Sequence, residues 1–156
     1  MKLELDLPEA RVFFAEDVLV LWWRQAPTLP AVQRISETIE RVTRHRSSNT
    51  RMLVVTSATM KAPDSEAREA MMASNRRTAS KMAAVALAIE GEGFGAAAVR
   101  AVISGMYLVL KPPHPLKTHS DIATAARWLL EQTSDAPASI SASELVSAVA
   151  QARSGS

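Results

Sequence analysis

Residues 11–16 and 18–24 form two runs rich in Val, Phe, Leu and Trp, separated by Glu16 and Asp17. Apolar, β-prone stretches on either side of an acidic pair predict a β-hairpin with its turn at that pair. Ahead of it Leu3, Leu5 and Leu7 alternate with Lys2, Glu4 and Asp6, the period of a strand with one wet face, expected as an edge or as a lead-in. Trp22 and Trp23 are neighbours, so on a strand they point to opposite faces. One is expected in the core, and the other must be covered by a helix, a ligand or another chain.

The next segment changes period. Thr28 can cap a helix in which Leu29, Val32, Ile35, Ile39 and Val42 recur at spacings of three and four. Its other face carries Glu37 with Arg41 and Glu40 with Arg44, acid before base at i,i+4, as expected of a solvated surface. Met52 to Val55 is a compact apolar run of the kind found in a strand covered on both faces. A second helix is predicted near Asp64, with Glu66 and Glu69 beside its positive end and a weak stripe through Ala67, Met71, Thr78 and Met82. Ala84 to Ile89 reads as another buried strand. It leads through Gly91, Gly93 and Gly95 into an alanine-rich helix that Pro112 and Pro113 end. Ser120 or Asp121 can cap a further helix through Ile122, Ala125, Ala126, Trp128 and Leu129. Ser141 with Glu144 offers a capping box for a short last helix through Leu145 and Val149.

The predicted fold class is therefore α/β, an N-terminal hairpin followed by alternating strands and helices, with a mixed sheet packed by helices. At 156 residues the chain suits one domain, expected over residues 1–132, with 133–156 as linker, short helix and frayed tail. It has no cysteine, which removes disulfides, thiolate metal sites and cysteine nucleophiles. A formal charge of only +2 gives no ground to expect a nucleic-acid partner. The N-terminus lacks the unbroken apolar stretch of a signal peptide. The apolar run over 96–110 is shorter than a membrane helix needs and holds Arg100, so the expectation is a cytoplasmic protein with no membrane span.

The hairpin, the long first helix, two buried strands each followed by a helix, and the segment Ala125-Ala126-Arg127-Trp128-Leu129 together resemble the STAS-like fold. That closing segment looks like the Ala-x-x-Trp-Leu helix of small bacterial STAS-like proteins, and the resemblance covers roughly residues 3 to 132. In the anti-sigma-factor antagonists of that fold, an Asp-Ser-Ser-Gly stretch at the start of the second helix carries a phosphorylated serine. Here the matching stretch is Asp64-Ser65-Glu66-Ala67. The resemblance makes Ser65 a phosphorylation candidate, although Glu66 and Ala67 depart from the pattern and Ser65 also reads as a plain helix-start residue.

Chemistry is sparse. Gly91-x-Gly93-x-x-Ala96 matches the dinucleotide fingerprint in form, yet Glu90 and Glu92 would face the phosphates, and Lys111 stands where an acidic residue is needed. The glycines read better as a turn admitting close helix packing. His45, His114 and His119 show no metal-ligand spacing. No cofactor and no paired nucleophile and base emerge, so an enzyme is not expected. Arg41, Arg44, Arg46 and Arg51 gather positive charge near the end of the first helix, as dipole complement or as contacts for an anion. The alanine-rich helix is apolar nearly all round and should be buried on more than one side. Met71, Val99, Val102, Ile103, Met106 and Leu110, with Trp22 and Trp23, are accordingly the candidates for an interface or an apolar-ligand contact. The expected function is a non-enzymatic protein-interaction module of regulatory or scaffolding type, self-associating as a homodimer, with an unidentified protein partner. The alternative is a module binding an apolar small molecule between the sheet and the third helix.

Overall fold

A computed structural model of the chain describes residues 1–155. Its strands are β1 (Lys2–Asp6), β2 (Ala10–Ala15), β3 (Val18–Trp23), β4 (Thr50–Ser57), β5 (Met82–Glu90) and β6 (Leu116–His119). The helices are α1 (Leu29–Arg44), α2 (Ser65–Thr78), α3 (Gly93–Leu110), α4 (Ile122–Glu131) and α5 (Ala142–Ser154). One sheet holds all six strands in chain order. β1, β2 and β3 pair antiparallel, and β3 through β6 pair parallel.

Each parallel connection carries a helix, and α1, α2 and α3 all lie on one face of the sheet. Val32, Ile35, Ile39 and Ala67 from the first two helices pack there on Leu19, Leu21, Leu87 and Ile89. The other face carries α4 and α5, whose Ala125, Leu129, Leu145 and Val149 meet Phe13, Val20, Leu53 and Ala86. Strands between two helical layers have no wet side, which is why β4 and β5 read as unbroken apolar runs.

The predicted hairpin is β2–β3, and Glu16 in its turn takes a left-handed φ of 51°. Thr28 caps α1 and Asp64 caps α2. Asp121 is the cap of α4, and Ser141 with Glu144 forms the full capping box of α5.

One feature departs from the pattern. In β1, Leu3 faces Phe13 and Leu5 faces Val12, so two residues advance where β2 advances one. This bulge takes Leu3 off the face that Leu5 and Leu7 share, and Leu3 is left exposed. The short helix expected after residue 132 is α5, which packs with α4 into the core that includes β2 and β3. Arg11, buried on that face, donates to the Ala152 carbonyl at 2.6 Å, and Ile140, Leu145, Val149 and Ala152 belong to the same apolar cluster as α4.

Candidate functional site

The start of α3 depends on glycine. Gly91 (φ 145°) and Gly93 (φ 86°) take conformations that side chains rarely adopt. A Cβ on Gly91 would stand 3.1 Å from Ala58 Cβ and 3.3 Å from Ala96 Cβ, so the missing side chain lets the helix start close against the loop after β4. Glu92 stands at the cap without a side-chain capping bond. Arg100 folds back and donates to the carbonyls of Ile89 and Gly91, each at 3.0 Å.

Along α3, one stripe meets the protein. Ala96 is its sole buried residue, while Val99, Ile103 and Tyr107 pack partly against the sheet. Ser104 and Thr118 share a hydrogen bond of 2.7 Å to β6, and Asn75 donates from α2 to the Tyr107 hydroxyl at 3.4 Å. Burial raises the Tyr107 pKa above its ordinary value against that bond. The opposite stripe is open: Phe94 is 97% exposed, Val102 65%, Leu108 75% and Val109 83%. By length and composition this helix of 18 residues, with a mean hydropathy of 1.6, is apolar enough to cross a membrane. Its inner stripe, however, is engaged with the sheet.

The sequence candidates thus separate. Val102 and Met106 lie on the outer stripe, whereas Val99 and Ile103 turn to the sheet and Leu110 is half-buried at the helix end. Met71 packs partly into the core beneath α2. Phe94, Leu108 and Val109, not among the sequence candidates, also belong to the open face. A helix apolar all round gives no polar side from which to tell the inner stripe from the outer one. Trp23 is buried on the α1 face. Trp22 is half-buried on the other face, where the Arg24 and Arg153 guanidinium groups lie 5.5 Å and 5.6 Å from its ring centre. The cover expected over the second tryptophan is therefore α5 and these arginines.

The basic group also divides. Arg41 and Arg44 are exposed and Arg46 half-buried at the end of α1, but Arg51 lies buried on the α4–α5 face. There it donates to the carbonyls of Ala136 and Gln132 at 3.2 Å and 3.4 Å and stands 3.7 Å from Asp17. Strand alternation places it opposite Met52 and holds the connection to α5, so it does not join the anion candidates. His119 is buried against Trp128 at 5.4 Å between ring centres, while His45 caps the end of α1 and His114 sits in the loop before β6. Burial, with help from Lys117, holds the His119 pKa below its ordinary value. Among the described residues no group of three or more His, Asp or Glu is placed to hold a metal. Ser65 is the first residue of α2 and exposed, and the capping bond from Ala67 N goes to Asp64, at 2.8 Å.

No family model matches the sequence, and no curated protein matches it. The structure is similar to that of an uncharacterised protein of the DUF3478 family, with a SpoIIAA-like fold, from Shewanella loihica. The two share 14% identity and a TM-score of 0.59, covering 77% of this chain and 91% of the other. The likeness shows the fold: a SpoIIAA-like, or STAS-like, α/β domain built on a six-stranded mixed sheet.

Proposed function

We propose that this STAS-like domain is a non-enzymatic protein-interaction module, regulatory or scaffolding in kind, that pairs with a second copy of itself through the outer face of α3. The observation that carries this reading is the exposure of Phe94, Val102, Leu108 and Val109 on a helix whose other side is engaged with the sheet. Apolar patches beyond a few hundred Å² are uncommon on monomers, and two-fold pairing is the commonest way to cover one.

The order of residues favours a second copy as occupant. If two α3 helices cross antiparallel about an axis between Ala101 and Val102, Phe94 meets the other copy's Val109 and Ala98 meets Gly105. The small residues at 98, 101 and 105 let the backbones approach. The same register brings Glu92 at the start of one helix to Lys111 at the end of the other. A membrane surface would instead favour a basic fringe along the helix. Arg100 is turned inward, and Glu92 is acidic. An apolar small molecule beneath α3 remains the alternative occupant. Such a fold and function fit a cytoplasmic protein.

Sedimentation velocity separates these occupants. The expected result is a wild-type dimer at micromolar concentration and a monomer for Val102→Asp with an unchanged circular dichroism spectrum. Val102 is the informative position because Ile103 faces the sheet, where a charge would unfold the domain. Charge reversal at Lys111 alone should weaken the dimer, and the pair Glu92→Lys with Lys111→Glu should restore it. A wild-type chain that stays monomeric at high micromolar concentration would sink the reading. A small-molecule mass on the monomer in native mass spectrometry would favour the ligand, and co-flotation with vesicles a lipid surface.

A further inference from the structure

Arg41 and Arg44 stand in the last turn of α1, with His45 at its cap and Arg46 just beyond, and none of them belongs to the α3 face. Beside that end, β1 and the β2–β3 turn leave a cleft of about 400 Å³ bordered by the charged Lys2, Glu4, Glu16, Arg41 and Arg46. Met1, Phe14 and Val42 supply its apolar lining.

The charges in this cleft are not equally available. Glu4 is nearly covered and already held, with Lys2 Nζ at 2.7 Å and Arg41 Nη1 at 3.3 Å. The Lys2 bond, with Arg41 adding to it, keeps the Glu4 carboxyl below its ordinary pKa against the cost of burial. Arg46 differs from the other cleft arginine: among the described residues it makes no ion pair. Its guanidinium lies 4.9 Å from the centre of the Phe14 ring, and its Nε is buried without an acceptor. Stacking on a ring uses the face of a guanidinium and leaves the in-plane N–H donors for an acceptor. Three cations border the cleft against two carboxylates, one of them Glu4, already paired.

We propose that this cleft binds a small organic anion, a phosphate or carboxylate attached to a compact apolar body. The anionic head takes the in-plane donors of Arg46, and the body lies against Val42 and the edge of Phe14. The proposal stands apart from the α3 surface and does not depend on it.

The test is an NMR titration of the full chain with phenyl phosphate, with inorganic phosphate and phenol as separate probes. Saturable shifts at Arg46 Nε–H and at the Val42 and Phe14 amides are expected, with each of the two simpler probes binding several-fold more weakly. Arg46→Gln should weaken phenyl phosphate binding about tenfold or more, the scale of a lost charge-assisted hydrogen bond. Because that change also removes the stack on Phe14, Glu16→Gln supplies the second arm. It leaves the guanidinium in place, removes the cleft carboxylate that has no ion pair among the described residues, and should tighten binding. Absence of saturable shifts, unchanged affinity in Arg46→Gln, or equal binding of inorganic phosphate would overturn the proposal.

Discussion

α1 and α3 cross the same face of the same sheet, and they differ in what they leave outside. α1 buries Ala31, Val32, Ile35 and Ile39 and turns Glu37, Arg41 and Arg44 to solvent, whereas α3 buries only Ala96 and leaves Phe94, Leu108 and Val109 in the open. Both are long helices between parallel strands, so connectivity alone does not account for the difference. α1 is stabilised by burying its apolar side and is complete as it stands. α3 rests at the β6 edge of the sheet, beside a strand of four residues, with too little sheet beneath it to cover so apolar a helix. Within this domain the amphipathic helix hides its apolar side in its own chain, whereas the helix without a polar side leaves apolar residues in the open.

The sharpest way to break this comparison is to truncate equivalent inward residues. Ile35→Ala, at a site 3% exposed, should cost about 3 kcal/mol in urea unfolding, as buried isoleucine truncations do. Ile103→Ala, at a partly covered site, should cost about half of that at dilutions where the chain is monomeric. Equal costs would mean that α3 is anchored as firmly as α1.

A second test lies at β6, the strand beside α3. His119 is buried there with its pKa lowered from 6.5. Because the folded state favours neutral imidazole, this contribution to stability is complete above about pH 6.5, the ordinary value of an unfolded histidine. It is lost as pH falls from there through the depressed folded value, since the unfolded chain then binds the proton first. Unfolding midpoints measured across that window should fall on acidification, and His119→Phe should flatten the slope. A histidine signal titrating at or above the ordinary value in the folded protein would contradict this.

The helix starts give the smallest differences. Thr28 Oγ1 accepts from Ala31 N at 3.3 Å, so Thr28→Ala should cost about 1 kcal/mol. Asp64→Ala at α2 should cost about as much, since Asp64 accepts from Ala67 N at 2.8 Å. Glu92→Ala at the uncapped start of α3, and Ser65→Ala beside the true cap of α2, should each stay within about 0.5 kcal/mol. For Ser65 a kinase-dependent mass shift that altered binding would add a switch that the capping geometry does not require.

Much of this architecture was legible in the residues because its signals are local. The caps at Thr28, Asp64 and Ser141 are side chains bonded to nitrogens three residues away, and the runs of β4 and β5 need only neighbours on both faces. β6 gave no such signal, as a strand of four residues between prolines and a helix cap carries too short a pattern to stand out. The bulge that turns Leu3 away from Leu5 was equally hidden, because it is set by pairing with β2 and not by the alternation within β1.

The sequence by itself determined where most elements begin, which side of α1 is wet, and that α3 has no polar side. Only the tertiary structure decided which stripe of α3 stays open, because an all-apolar helix has no polar side to orient it and the sheet chooses the contact. It also parted Arg51 from Arg46: strand alternation carries one to the α5 connection, while the end of α1 sets the other on Phe14 beside an open cleft. Both outcomes depend on contacts between residues far apart in the chain, which no local pattern encodes.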